Sequence, residues 1–214
     1  AMNDGATPLY AACEQGRIDA ARLCLDRGAE VDRATESGET PLYIACQEGH
    51  VDAARLLLEK GAAVDRAASG LRTKGQTPLY VACANGHVAV ATLLLDRGAV
   101  VDRANEGGMT PLFVACWNGH VDAARLVLEK GADVDRAPNH GGTPLYIACN
   151  EGDVDAARLL LDNGAAVDRA QKQGATPLFI TCVDGHIDLA RLLLEKGAEV
   201  DRATNTPRGQ TPLS

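Results

Sequence analysis

The sequence predicts an all-α protein built from helix–turn–helix repeats that are joined by turns, an architecture called an α-solenoid. Two observations predict it. The first is a tripeptide, Thr-Pro-Leu, that recurs at intervals of 33 to 37 residues, and repeat periods of 20–50 residues are typical of solenoids. The second is that each interval contains two short apolar-patterned segments ended by glycine, which indicates two helices per repeat. The tripeptide begins at Thr7, Thr40, Thr77, Thr110, Thr143, Thr176 and Thr211.

The repeat pattern divides the chain into six full repeats and the beginning of a seventh, which we expect to form a single array over residues 1-214. The predicted boundaries are 3-35, 36-68, 69-105, 106-138, 139-171, 172-206 and the partial repeat 207-214. Because the seventh repeat stops after its first four motif residues, Thr-Pro-Leu-Ser, the chain is expected to be a piece of a longer array.

The first helix of each repeat is predicted from the phrase that begins at Thr40. Thr40 is a good N-cap, because its hydroxyl can accept a backbone N–H of the first turn. Pro41 suits the first helical position, where its missing N–H costs nothing. Leu42, Ala45 and Cys46 share one side of this helix, and Gly49 is expected to end it in a left-handed conformation.

The second helix is predicted to run from about Val51 to Lys60 and to end before Gly61. Its three consecutive leucines, 56–58, make more than half of its surface apolar. A helix that is apolar over so much of its surface must be covered on several sides. Since a single helix pair cannot provide that cover, adjacent repeats are expected to stack and form a continuous core.

These residues resemble the ankyrin repeat family over about residues 3–213. The shared pattern is G-x-T-P-L-(aromatic)-x-A-x-x-x-G-H, followed by L-L-L-x-x-G-A-x-V-D. The resemblance implies helix pairs stacked into a curved solenoid, with β-hairpin fingers at right angles to the helices. Aromatic residues replace the family's usual His after Thr-Pro-Leu, and a tyrosine hydroxyl at this position is expected to find a partner of its own. These aromatic residues are Tyr10, Tyr43, Tyr80, Phe113, Tyr146 and Phe179.

The amino-acid composition argues against several classes of binding partner. The 29 acidic and 21 basic residues give a net charge of −8, which argues against nucleic acid as a partner, since phosphate contacts need clustered Lys and Arg. No apolar run reaches the roughly 20 residues that span a bilayer, so no membrane partner is expected. Seven cysteines, six of them in one repeating frame, are expected to be reduced thiols. The predicted location is therefore intracellular, in the cytoplasm.

Metal binding and catalysis by cysteine are the two chemical functions that the repeated Cys and His residues could suggest. Four repeats carry a C-x3-H pair, but structural zinc requires four ligands, and the next pair lies about 8–10 Å away, one helix-packing distance. A catalytic cysteine would be singular rather than a repeated column. We therefore expect no metal, no cofactor, no catalytic residue and no enzymatic activity. The pairs are Cys46/His50, Cys83/His87, Cys116/His120 and Cys182/His186.

Candidate binding residues are those that change between otherwise constant repeats. The two residues after the framework cysteine differ in every repeat, and the resemblance places them on the concave face. Trp117, the only tryptophan, is a candidate interface hot spot, and Met109 in the adjoining turn is expected to extend it. The third finger carries the extra residues and is expected to project. The predicted partner-binding residues are Trp117, Met109, Asn118, Asn85, Leu71, Arg72, Lys74, Glu48 and Asn150.

The predicted function is a non-enzymatic protein–protein interaction module that binds a protein or peptide through the concave face and the finger tips. Two alternatives stay open: a structural or artificial scaffold without an evolved partner, and the targeting part of a larger multidomain protein. The first two variable faces are acidic, through Glu14, Glu36, Glu39, Glu48 and Asp4, and would steer a basic partner segment. Because neither end has an obvious polar cap, end-to-end self-association is also expected.

Overall fold

The structure, a computed structural model, describes residues 5–202 and contains twelve α-helices in two compact units that divide between Glu106 and Gly107. Each unit holds three of the predicted repeats, and each repeat contributes one short and one longer helix. Residues 5–202 contain no β-strand. The fold is therefore the predicted all-α repeat solenoid. The predicted seventh repeat, 207–214, and Asp4 lie outside the described residues.

The first unit contains six helices in three pairs. Each first helix packs on the second helix of its own repeat and on the first helices of adjacent repeats, and the second helices of adjacent repeats also pack together. The helices are α1 (Pro8–Glu14), α2 (Ile18–Asp26), α3 (Pro41–Gln47), α4 (Val51–Glu59), α5 (Pro78–Ala84) and α6 (Val88–Asp96).

The second unit repeats the same arrangement. Its first helices α7, α9 and α11 form one layer, its second helices α8, α10 and α12 form the other, and contacts join neighbouring repeats within each layer. The bounds are α7 (Pro111–Trp117), α8 (Val121–Glu129), α9 (Pro144–Asn150), α10 (Val154–Asp162), α11 (Pro177–Asp184) and α12 (Ile187–Glu195). The longest described helices have nine residues, and none is long and apolar enough to cross a membrane.

The threonine cap of the first helix is confirmed in all six repeats. The Tyr43 N–H donates to Thr40 Oγ1 at 3.1 Å, and Pro41 occupies the first helical position. Thr40 is completely buried, so its hydroxyl satisfies a helix-end donor that water cannot reach. At the other end of α3, Gly49 has φ +77°, a left-handed conformation that glycine adopts without steric cost.

The leucine triplet of the second helix is buried by neighbouring repeats. Its middle leucine is fully buried at Leu57. Its first leucine depends on the preceding repeat, because Leu56 is 4% exposed whereas the equivalent Leu23 of the first repeat is 56% exposed. Its third leucine is partly covered by the following repeat. Leu161 of the fifth repeat is half-buried, whereas the equivalent Leu194 of the last described repeat is 43% exposed. The structure confirms that stacking completes the core.

Aspartates in the loops after the second helices also join adjacent repeats. Both carboxylate oxygens of Asp32 accept the Ala63 N–H, at 3.1 and 3.3 Å. Equivalent bonds link Asp65 to Val100, Asp135 to Ala166 and Asp168 to Glu199. Each bond satisfies a loop N–H of the next repeat, so the recurring aspartate is a structural bridge.

The fingers are closed turns rather than two-stranded hairpins in the described part of the chain. Thr35 donates its N–H to the Glu39 carbonyl at 3.0 Å, and Gly38 donates to the Thr35 carbonyl at 2.9 Å. Ser69 then donates to the Ser37 carbonyl of the preceding finger at 3.0 Å. Consecutive fingers within the first unit are therefore tied to each other as well as closed on themselves.

The framework cysteines form part of the core. Five are fully buried free thiols, and Cys24 and Cys182 are half-buried. Burial raises the pKa of Cys83 to about 12, and burial followed by the nearby Cys24 raises the pKa of Cys13 to about 12. A thiol with such a pKa stays protonated at neutral pH and is a poor nucleophile. The buried column is Cys13, Cys46, Cys83, Cys116 and Cys149.

Leu56→Ala is expected to lower the free energy of unfolding by about 2–5 kcal/mol, because it leaves a cavity between two repeats. Leu23→Ala, at the equivalent but exposed position, should cost less than about 1 kcal/mol. Urea unfolding of both variants measures the difference. Equal losses would contradict the dependence of the first leucine on a preceding repeat.

Alkylation with iodoacetamide at about pH 8 is expected to modify Cys24 and Cys182 first. The five buried thiols should react only on unfolding, because their raised pKa values leave at most on the order of 10⁻⁴ of each as thiolate. Mass spectrometry of tryptic peptides over time checks the order, and a denatured sample provides the control. Fast native labelling of Cys83 would show that the core opens locally.

Candidate binding face

Positions that vary between repeats lie at the exposed ends of the first helices. In α7, the segment from Pro111 to Cys116 is buried, and the next two residues, Trp117 and Asn118, are exposed. After Cys46 and Cys83 the first variable residue is half-buried and the second, Glu48 or Asn85, is exposed. Since the framework cysteine anchors each helix in the core, the residues after it are held at the surface in a defined position.

Trp117 is the main aromatic feature of this surface in the second unit. It is 44% exposed, and its ring packs edge-on against Phe113 with a centroid distance of 5.9 Å. His140, in the next finger, packs against the same Phe113 ring at 5.6 Å. Sequence analysis did not single out His140, whose only signal was its place in a finger one repeat after Phe113.

Met109 lies at the opposite end of α7 from Trp117. It is half-buried and directly precedes Thr110, the N-cap of α7. Eight residues separate the two side chains along the chain, which corresponds to roughly 12 Å of helix rise. The aromatic neighbours of Trp117 are thus Phe113 and His140, and Met109 marks a separate point near the finger.

The third finger, in the first unit, projects as predicted. Leu71 is 100% exposed and Arg72 is also exposed, while Lys74 pairs with Glu106 at 2.9 Å. The base of the finger is held by the Gly70 N–H, which donates to the Ser37 carbonyl at 2.6 Å. An apolar side chain is therefore presented on an anchored loop.

The remaining predicted residues lie at helix ends and engage local partners. Asn85 donates its side-chain amide to the Val81 carbonyl at 2.9 Å, and Asn150 donates to Glu151 at 2.9 Å. Glu48 is exposed and accepts a bond from Gln47. The predicted residues of the first unit are Glu48, Leu71, Arg72, Lys74 and Asn85, and those of the second are Met109, Trp117, Asn118 and Asn150.

Some variable turn residues form hydrogen bonds with the tyrosine of the preceding repeat. The Tyr43 hydroxyl donates to Gln76 Oε1 of the next finger at 2.8 Å, and the Tyr10 hydroxyl donates to Glu39 Oε2 at 3.1 Å. Burial, with Glu39 and Tyr80 nearby, raises the pKa of Tyr43, so its hydroxyl remains a donor. These bonds answer the expectation that the tyrosine hydroxyl finds its own partner.

Histidines of the C-x3-H pairs join adjacent repeats. His50 Nε2 donates to the Glu14 carbonyl at 3.0 Å, and His87 Nε2 donates to the Gln47 carbonyl at 2.9 Å. Their neighbouring cysteines are buried thiols of raised pKa. Residues 5–202 contain no group of three or more His, Cys, Asp and Glu residues placed to hold a metal ion.

Known proteins with this fold were compared with the chain. The family model described as ankyrin repeats (3 copies) matches residues 1–68, 66–138 and 135–204. No curated protein sequence matches the chain significantly. The crystal structure of the human ASB11 ankyrin repeat domain is 32% identical, with a TM-score of 0.86, and the match covers 97% of this chain and 90% of that one.

A second similar structure is the ankyrin repeat domain of Bcl-3, described as a unique member of the IκB protein family. It is 30% identical, with a TM-score of 0.84, and the match covers 99% of this chain and 94% of that domain. Sequence pattern, helix-pair packing and these matches agree over almost the whole length. The chain therefore belongs to the ankyrin repeat family.

Proposed function

We propose that this chain binds a protein or peptide partner through the exposed ends of its first helices and the tips of its fingers. Ankyrin repeat domains are generally protein–protein interaction modules. The observation that carries the proposal for this chain is the separation of constant and variable positions. The framework cysteine of each first helix lies in or at the edge of the core, and the two residues after it, which change from repeat to repeat, are half-buried or exposed.

Trp117 is the proposed centre of the binding face. Tryptophan is enriched among interface hot spots, and this one is 44% exposed while its edge contact with the buried Phe113 orients its ring. A side chain that is already oriented loses less conformational entropy on binding than a mobile one. Met109, Asn118 and Asn150 provide the surrounding contacts in the second unit.

The third finger is the proposed contact of the first unit. Leu71 has no cover from the described residues, and an apolar side chain on an anchored turn can enter a pocket of a partner. Arg72 adds positive charge beside it, Lys74 is paired with Glu106, and Glu48 and Asn85 lie at the ends of α3 and α5. These residues would give the partner several separate points of contact.

The repeated polar groups support a non-enzymatic role. The framework thiols are buried with raised pKa values, and His50 and His87 are held by backbone carbonyls of the preceding repeat. A nucleophile and base would need to be accessible and close to each other. The chemical groups that recur in this chain hold repeats together, and the groups that vary are placed for recognition.

The last described repeat supports self-association as a further mode. Val183 and Ile187 are both 63% exposed, and Leu194 of α12 is 43% exposed. In the fifth repeat, which is followed by another described repeat, the residues equivalent to Ile187 and Leu194 are half-buried, and an outer face of a repeat array needs to be polar for solubility. A second copy of the chain could supply the cover.

Trp117→Ala is expected to weaken binding of the natural partner at least about tenfold, because it removes a large oriented side chain from the face. The partner would be identified by affinity capture from the source cell and mass spectrometry, then purified, and its Kd measured by calorimetry. Trp117→Phe should lose less.

Val100→Ala is the matched control, since Val100 is exposed but lies after a second helix, away from the first-helix ends. Its Kd should stay within about twofold of the unmodified chain. An unchanged Kd for Trp117→Ala would remove Trp117 from the site, and a chain that captures no specific partner would favour the scaffold alternative.

Ile187→Glu is expected to prevent concentration-dependent self-association, because it places a charge in the exposed apolar patch. Light scattering coupled to size-exclusion chromatography measures the mass over a concentration series, and Val100→Glu controls for the added charge. A strictly monomeric unmodified chain at high concentration would contradict the proposed mode.

A further inference from the structure

We propose that the second unit contains a notch for an arginine side chain of the partner, formed by the Trp117 indole, the Trp117 carbonyl and the Asp153 carboxylate. This inference rests on the proposed function and names the chemistry of the partner segment. It starts from a departure from the repeat pattern in the interior of the second unit, since the first repeat, with Arg17, has no described repeat before it. At the position of His50 and His87, the fifth repeat has Asp153.

In the second, third and sixth repeats, the histidine fills the space beside the preceding repeat. An added Cβ on Gly49 would lie 2.7 Å from the His87 ring, and one on Gly152 would lie 2.8 Å from the His186 ring. In the first unit the ring also donates to a backbone carbonyl at the end of the preceding first helix, which is Gln47 for His87. The equivalent carbonyl one repeat before Asp153 is that of Trp117.

Asp153 leaves this space partly open. Its Oδ1 accepts the Ala156 N–H at 2.9 Å and so caps α10. Its Oδ2 would lie 3.8 Å from a Cβ added to Gly119, farther than the histidine rings lie from the equivalent glycines. The carboxylate therefore turns one oxygen toward its own helix and the other toward the end of α7, where no imidazole donates to the Trp117 carbonyl.

The proposed notch is negatively charged, and the indole of Trp117, the residue after Cys116, is its proposed aromatic wall. Burial, with Asp153 as the second cause, raises the pKa of Cys116 to about 12, which agrees with a carboxylate close to the end of α7. Glu151 and Asp184 are exposed at the ends of the next two first helices. Positive or titratable groups on the surrounding elements include Lys172, which lies against Gly141 in the finger, His186 beside Gly152, and His140 at the Phe113 ring. His120 follows the end of α7, and Arg158 is exposed on α10.

An arginine side chain matches these groups better than other side chains do. Its planar guanidinium stacks on an indole face. At the same time it can donate one N–H to a carboxylate and another to a carbonyl, and such charge-assisted bonds are the stronger ones. A lysine ammonium is a compact and strongly hydrated charge without the flat surface, and an acidic side chain would be repelled. The inferred ligand is thus a partner segment with an exposed arginine.

The test uses the fluorescence of Trp117, which is the sole tryptophan of the chain. The probes are the peptide acetyl-Ala-Arg-Ala-amide and the same peptide with citrulline, a neutral isostere of arginine, in the same buffer. The arginine peptide should give a saturable change in emission. The citrulline peptide should bind at least about tenfold more weakly, because the charge-assisted bonds are lost.

Asp153→Asn is the main variant, since asparagine retains the helix cap but not the charge. It should weaken binding of the arginine peptide about tenfold, and Asp153→His, which restores the common residue, should abolish it. Asp155→Asn is the matched control, because Asp155 is exposed in the first turn of the same helix. Its affinity should stay within twofold, on the order of ordinary surface substitutions.

The inference is overturned if the arginine peptide gives no saturable change, if citrulline binds equally well, or if Asp153→Asn and Asp155→Asn have the same effect. These outcomes are separable from a failure of the proposed function. A purified partner that still loses affinity with Trp117→Ala but not with Asp153→Asn would retain the binding face and remove the arginine notch.

Discussion

Burial of leucine side chains between consecutive second helices is the interaction on which the rest of this structure depends. A repeat with two helices of seven to nine residues has too little surface to form a core alone. Leu56 shows the consequence, because it is buried by the repeat before it, whereas the equivalent Leu23 remains exposed. Each repeat therefore gains stability from its neighbours, which makes the free energy of folding a sum over adjacent pairs.

Polar groups that recur in the repeats also hold helix ends and neighbouring repeats in place. The threonine caps satisfy helix ends, the loop aspartates accept a backbone N–H of the next repeat, and the histidines donate to a carbonyl of the preceding one. Tyr43 adds a side-chain bond to the following finger. Because these groups hold backbone atoms in place at every step, the exposed residues between them occupy defined positions, as a recognition surface requires.

Recognition can then be encoded by departures from the repeat. Trp117 replaces a mostly polar position and stays partly exposed, and the third finger places Leu71 in solvent. Asp153 stands where other repeats have a histidine that bonds to the preceding repeat, and it still caps its helix. The fold therefore loses one hydrogen bond between repeats but keeps the helix. A scaffold whose stability is spread over many similar interfaces tolerates such local losses, and this tolerance allows single repeats to change chemistry.

The sequence by itself determined the repeat period, because Thr-Pro-Leu recurs in it directly. It also determined the helix pairs, the threonine caps and the apolar triplets, because each of these depends on residues within about one helical turn of each other. It placed the start of α4 correctly, and the helix ends one residue before the predicted Lys60. Only the tertiary structure decided which copy of a leucine is covered, that His140 reaches Phe113, and that Asp153 faces the end of α7. These features depend on a neighbour about one repeat away along the chain, and their geometry follows from how the two repeats pack.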